Sequence, residues 1–206
     1  MTKILLVRHG HVEGIRPERF RGRHNVPLTE RGILQARATG EYIAAHWQPS
    51  HIYTSPLQRC VQTGVEIATR CAASAEVLEE LNDLDYGEWQ WCTHEEVQAR
   101  WPQEFDRWFK APQWMRFPQG ESLQDMHARL ADALRLILQR HANKTVVLVA
   151  HDSSLRVLLL HLLDMPLAAY WRFAQDPCGV SEITTSARQA KALRINETQH
   201  LPQSPS

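Results

Sequence analysis

The chain has 206 residues, 43% of them hydrophobic, and its 23 basic and 23 acidic side chains give a formal net charge of zero. That balance excludes a general attraction to nucleic acid or acidic membrane, so any affinity for anions must be local. The length suits one domain with a core of its own, spanning 1–206. No apolar run approaches a membrane span or a signal-peptide core, and a cytoplasmic location is the expectation. Cys60, Cys71, Cys92 and Cys178 are scattered without a C-x-x-C pair, which indicates neither a disulfide framework nor a zinc site.

Ile4-Leu5-Leu6-Val7 predicts a strand buried on both faces, the parallel-sheet pattern, and it runs directly into Arg8-His9-Gly10. Thr29 can cap a helix whose apolar stripe is Ile33, Ala36, Gly40, Ile43 and Trp47, with Pro49 ending it. His51–Thr54 reads as a short strand. Ser55-Pro56-Leu57-Gln58 then resembles a capping box with proline in the first helical position, on a helix carrying Val61, Val65 and Ala68 inward. Glu76-Val77-Leu78 is a further strand. From Trp89 to Gly120 five tryptophans and three prolines interrupt the alternation. That stretch reads as one or two short helices and a loop, forming an aromatic satellite cluster that closes one end of the core, a lid over the strand ends, or both together, with Trp114 and Phe117 as lid residues. Ser122 to Asp125 is a second capping box, opening a helix with Leu123, Met126, Leu130, Leu134 and Ile137 on one face. Thr145–Ala150 is another buried strand, running into His151, and a helix from about Ser153 to Leu163 follows. Val180–Thr185 and Ala192–Ile195 read as a final antiparallel pair at an edge. The polar tail 197–206 is expected to fray.

In open α/β sheets, ligands collect outside the carboxyl ends of the strands, where both His9 and His151 would lie. A phosphoryl group needs positive charge on its oxygens, a nucleophile in line with the leaving oxygen and an acid to protonate that oxygen. Arg8-His9-Gly10 offers a guanidinium beside an imidazole. Arg59 falls in the first turn of the helix after His51–Thr54, where free amides favour an anion. His151 is a third donor, and Arg21 and Arg23 sit on a loop shortly after His9. Glu80, Asp83 and Asp85 are three candidates for the acid. His9-x-His11 has no partner carboxylate or cysteine at supporting spacing, so no metal is expected.

Five blocks occur in a recognisable order: Arg8-His9-Gly10, Pro27–Gly32, Ser55–Thr63, Asp83–Trp89 and Ala150-His151. On these residues the chain resembles the histidine phosphatase superfamily, the phosphoglycerate mutase-like family, over nearly its whole length. The resemblance implies a three-layer α/β/α sandwich with a mostly parallel sheet and a phosphohistidine intermediate. Position by position, it makes His9 the nucleophile, has Arg8, Arg59 and His151 hold the phosphoryl group, and puts Asp83 at the acid position. The chain departs from the pattern at Val12 and Ile15, where a threonine or serine and an asparagine help bind phosphate. That part of the pocket must be rebuilt, with Arg21 or His11 the candidates. Asp152 stands where a glycine is common.

The function this implies is a metal-independent and cofactor-free phosphomonoesterase, acting on a small phosphorylated metabolite. Asp83 would be the proton donor, its pKa raised by burial and by the charges of Glu80 and Asp85. The alternatives are a phosphoglycerate mutase, a phosphatase for phosphohistidine on proteins and a non-catalytic phosphate-binding protein. α-Ribazole phosphate, sugar phosphates and phosphoglycerate derivatives are equally open as substrates.

Overall fold

In the computed structural model, which describes residues 1–15, 17–186 and 189–202, strands and helices follow in the order β1 (Thr2–Arg8), α1 (Glu30–His46), β2 (His51–Thr54), α2 (Gln58–Cys71), β3 (Ser74–Val77), α3 (His94–Arg100), α4 (Pro102–Lys110), α5 (Leu123–Arg140), β4 (Thr145–Ala150), α6 (Asp152–Leu162), β5 (Val180–Thr185) and β6 (Ala190–Glu197). The two most apolar strands are neighbours at the centre of one six-stranded sheet, ordered β3-β2-β4-β1-β5-β6. β1, β2, β3 and β4 run parallel, while β5 and β6 add an antiparallel edge.

Strand side chains alternate between faces, so each central strand serves two cores. Leu5, Val7, Val147 and Val149 pack with Ile43 of α1 and Cys60 and Ile67 of α2. Ile4, Leu6, Val146, Leu148 and Ala150 pack with Met126, Leu130 and Leu134 of α5 and Leu155, Leu158 and Leu159 of α6. The result is three layers, helices on both faces of a mostly parallel sheet.

Thr29 caps α1, its side chain accepting from the Gly32 amide, and Ser122 caps α5 in a reciprocal box with Asp125. The expected box at Ser55 does not form. The first helical residue is Gln58, Leu57 stands at the cap without a side-chain bond, and the Gln58 amide is met instead by Asn25. Ser55 is used elsewhere, as described below. α2 is also rotated from the expected face. It buries Arg59, Cys60, Thr63, Gly64 and Ile67, whereas Val65 is exposed. Arginine and threonine are read as outward residues, and here they are needed inward.

The aromatic stretch 89–120 is not a satellite. Trp89 and Trp108 pack with Phe117 at ring distances of 5.0 and 5.1 Å, Phe20 meets Trp89 at 5.1 Å, and all four belong to the same cluster as Leu6 and Leu130. Trp114 is 73% exposed and faces away from this cluster. The tail is held as far as it is described. His200 stacks on Tyr42 with ring centroids 4.5 Å apart, its Nε2 lies 3.0 Å from Thr39 Oγ1, and Leu201 packs near Val12 and Leu28. Residues 203–206 of the expected frayed tail lie outside the described residues. Among the described residues no helix is long and apolar enough to cross a membrane.

α1 and α2 approach closely at Gly40. A Cβ there would stand 2.8 Å from the Glu66 carbonyl oxygen and 3.2 Å from Ile67 Cα, both backbone atoms. Gly40→Ala is therefore expected to destabilise the protein by about 1–3 kcal/mol, the usual cost of overpacking, despite alanine's better helix propensity. Urea denaturation at neutral pH measures this, and a variant as stable as the parent would contradict the close packing.

Candidate active site

From β1 the chain passes over β4 to build β2, then returns to β4, so the order reverses beside β1. A crevice opens at the carboxyl ends of strands at such a point. Three polar residues stand there, each directly after a strand: His9 after β1, Ser55 after β2 and His151 after β4. The ladder continues one residue into this group, because the His9 amide donates to the Ala150 carbonyl at 3.0 Å and the Ser55 amide to Val149 at 3.0 Å. The sheet therefore sets the backbone positions of His9 and Ser55. The Cys178 amide adds bonds to the carbonyls of Arg8 and His9, at 3.0 and 3.3 Å. Gly10 leaves no room for a side chain, since a Cβ would stand 2.5 Å from the Gly32 carbonyl oxygen at the start of α1.

His9 is 1% exposed and His151 is fully buried, with ring centroids 5.3 Å apart. His9 Nδ1 lies 2.8 Å from the Gly10 carbonyl, which can only accept, so Nδ1 carries the proton and Nε2 is left with its lone pair. His151 Nδ1 accepts from Arg59 Nε at 3.2 Å, which leaves its proton on Nε2, 2.8 Å from Ser55 Oγ. Burial pushes the pKa of each histidine well below its ordinary value, and the charges of Arg59 and Arg8 press the same way. Both rings are neutral at pH 7. Cys60 Sγ lies 3.5 Å from His151 Nε2, and burial pushes its pKa up, so it is a thiol at neutral pH.

Arg59 has no solvent exposure. Besides His151 it donates to the carbonyls of His24 and Gly22, both at 2.7 Å, and to Asp83 Oδ2 at 3.2 Å. Asp83 Oδ1 accepts from the Leu84 amide at 2.9 Å. Burial raises the pKa of the Asp83 carboxyl, opposed by Arg59 and the Leu84 amide, and Asp152 adds to the rise. Glu80 and Asp85 are not the cause that the sequence suggests. The Asp85 carboxylate turns back to the Gly87 amide at 2.9 Å and Arg23 at 3.4 Å, and Glu80 lines a separate hollow with Tyr53 and Glu76. Of the three candidate acids only Asp83 faces the crevice.

The crevice is a cavity of about 440 Å³. Arg8, His9, Arg21 and Asp83 form its inner part, and Glu18, Arg19, His94, Asp152, Arg156 and Asp176 contribute charged or titratable groups to the same wall, with Trp108, Phe109 and Trp171 as aromatic surface. Arg59 and His151 belong to the same cluster, against Asp83 and His9, and neither has any solvent exposure. Three buried donors on the wall have no partner among the described residues: Arg8 Nε, Arg21 Nε and Gln175 Nε2. Arg21 is otherwise anchored, with Nη1 donating to the Gly14 carbonyl at 2.7 Å. Burial and the charge of Arg8 lower its pKa to about 10, which still leaves it cationic at neutral pH.

Of the two residues proposed to rebuild the pocket, Arg21 is in the wall, while His11 turns away to Thr29 Oγ1 at 3.0 Å. Val12 is buried with Val26, Leu28 and Ala36, so that side of the loop is apolar. The lid residues are misplaced in the sequence reading. His94, Trp108 and Phe109 line the cavity, whereas Trp114 is exposed and Phe117 lies in the core. Sequence reasoning also missed Ser55, Ser153, Arg156 and Gln175. Ser55 carried a signal, as the first polar residue after a buried strand. Gln175 carried none.

A family profile for the histidine phosphatase superfamily (branch 1) matches residues 4–198. The chain belongs to this superfamily. It is 34% identical over 203 residues to phosphoserine phosphatase 1 of Hydrogenobacter thermophilus, covering 98% of this chain and 95% of that protein. Among solved structures, Bacillus stearothermophilus YhfR superposes with a TM-score of 0.91 at 27% identity, covering 98% of this chain and all of that one. A phosphoserine phosphatase mutant from Entamoeba histolytica, solved in complex with phosphoserine, superposes with a TM-score of 0.87 at 26% identity, over 98% of this chain and all of that one. The chain is thus a histidine-dependent phosphatase with the phosphoglycerate mutase-like fold.

The neutral buried histidines make acid stability a test of the geometry. In the unfolded chain they take up protons as pH falls through about 6.5, while the folded rings resist until lower pH. Stability attributable to them is full above that value and declines as pH falls, at up to about 1.4 kcal/mol per pH unit for each ring. Asp83, with its raised folded pKa, acts oppositely at the acid end. Urea unfolding between about pH 7 and pH 5 should therefore show a steeper loss for the parent than for His151→Gln. Equal slopes would mean that His151 takes up its proton in the fold as readily as in the unfolded chain.

Proposed function

We propose that the protein hydrolyses a small phosphomonoester through a phosphoryl group carried on His9. The observation that supports this best is the set of unpartnered donors on Arg8, Arg21 and Gln175, grouped around an imidazole whose Nε2 is unprotonated. Buried donors left unmade are costly, and three of them on residues that line one cavity suit the oxygens of a dianion. His9 Nε2 attacks phosphorus and the bond to the leaving oxygen breaks. Asp83 gives its proton to that oxygen. A water then loses its proton to Asp83 and attacks the phosphohistidine, releasing inorganic phosphate and restoring both groups. Arg59 and His151 act from behind, through charge and by holding Asp83 and the His9 ring. No step calls for a metal.

For the alcohol portion, the outer wall carries both signs of charge, with Arg19 and Arg156 against Glu18, Asp152 and Asp176. A substrate with its own carboxylate and ammonium matches that better than a neutral sugar does. Phosphoserine is the compound of this class that the relatives' names bring forward, and we take it as the substrate.

Phosphate release from phosphoserine, 3-phosphoglycerate, a hexose phosphate and α-ribazole phosphate tests this. The expected order has phosphoserine highest in kcat/KM, with 3-phosphoglycerate, which lacks the ammonium, below it. A sugar phosphate or α-ribazole phosphate cleaved at least as well would contradict the assignment. Asp83→Asn is expected to slow phosphoserine hydrolysis by about 10²–10⁴-fold, the usual worth of a general acid. p-Nitrophenyl phosphate, whose leaving group departs without a proton, should keep its initial burst in that variant. Glu80→Gln should leave both substrates unaffected, and a large effect there would move the acid to Glu80.

A further inference from the structure

The loop that carries Asp83 has no regular structure between Asn82 and Tyr86, yet a proton donor must be aimed to within a fraction of an ångström. A guanidinium outside the cavity clamps its backbone. Arg129, in the second turn of α5, donates from Nη1 to the carbonyls of Glu80 and Asn82, at 2.5 and 2.9 Å, and from Nη2 to the carbonyl of Asp83 at 3.1 Å. Its Nε and Nη2 also reach the two carboxylate oxygens of Glu121, at 3.2 and 3.1 Å. Glu121 immediately precedes the Ser122 cap of α5 and pairs on its other side with Arg23, whose Nε lies 3.4 Å from the Asp83 carbonyl. Arg23 belongs in turn to the loop whose Gly22 and His24 carbonyls take Arg59.

We infer that Arg129 is a positioning residue for the proton donor: its guanidinium, aimed by Glu121, clamps three carbonyls of the 80–83 segment and so sets the direction of the Asp83 carboxyl. Arg129 does not line the cavity and touches no group that would meet a substrate. Lysine cannot replace it, because a single ammonium on a flexible stem does not present the planar fork that reaches three carbonyls and a carboxylate together. The inference rests on the assignment of Asp83 as the acid.

A double-mutant cycle tests it, read on phosphoserine and on the p-nitrophenol burst. Arg129→Lys is expected to lower kcat on phosphoserine by about tenfold or more, with KM changed by less than about twofold and the burst rate retained. On the Asp83→Asn background the same substitution should cost less than about twofold, since the group it positions is already gone. Equal losses on both backgrounds, or equal losses on both substrates, would overturn the inference and show a merely structural clamp. If Asp83→Asn itself lacks the leaving-group dependence, the acid assignment fails first and the inference with it. Should Arg129→Lys not fold, Glu121→Gln frees the guanidinium while keeping it, and the same non-additive pattern with Asp83→Asn is expected. Additive losses there would also overturn the inference.

Discussion

The site depends on one fully buried guanidinium. A charge without solvent contact must find partners for its hydrogens, and Arg59 finds them in four directions: two carbonyls of the 21–24 loop, the Asp83 carboxyl and the ring of His151. Geometry and electrostatics follow from the same contacts. The carbonyl bonds fix the loop that carries Arg21, and the bonds to Asp83 and His151 hold an acid beside a histidine pair. The charge disfavours a proton on either ring and opposes the burial that raises the Asp83 pKa. A neutral histidine and a protonatable carboxyl are opposite demands, and a single cation placed behind both favours the first and opposes the second.

The sheet and the aromatic core make that arrangement rigid. β4 holds His9 and Ser55 by ladder bonds that run one residue past β1 and β2, and the His151 amide is held by Ser154 Oγ at 3.0 Å. Across the cavity, Tyr86 packs edge-on against Phe117 at 4.9 Å and places its hydroxyl 3.1 Å from Ser153 Oγ, so the aromatic cluster of the 89–120 stretch ends at the cavity wall. The same rings that stabilise the fold therefore shape the pocket. Packing and pocket shaping go together in this segment, because Trp108 serves both.

Much of this was legible in the sequence, for identifiable reasons. The central strands are continuous apolar runs buried on both faces, and each ends on a histidine. The caps at Thr29 and Ser122 follow the local chemistry of their own side chains. What was not legible depends on distant backbone. Ser55 looks like a cap but serves His151. α2 turns Arg59 inward because carbonyls 35 and 37 residues away need a donor, and no periodicity in the helix announces that. Burial, the main source of the raised Asp83 pKa, was legible, but the contributing charge was not, since neighbours in sequence point elsewhere while Asp152, far along the chain, comes near. Trp114 and Trp108 differ only in which way a short helix or turn faces, and composition cannot distinguish them.

The central claim is that neutral His9 accepts the phosphoryl group. Acid-labile phosphohistidine is preserved by quenching into alkaline denaturant. Mass spectrometry of the peptide containing His9, taken within the first turnover of Asp83→Asn with p-nitrophenyl phosphate, measures it directly, because that variant forms the adduct and hydrolyses it slowly. The account predicts a phosphoryl group on His9, formed at the rate of the p-nitrophenol burst. A burst without modification, or a phosphoryl group on His151 or another residue, would contradict it.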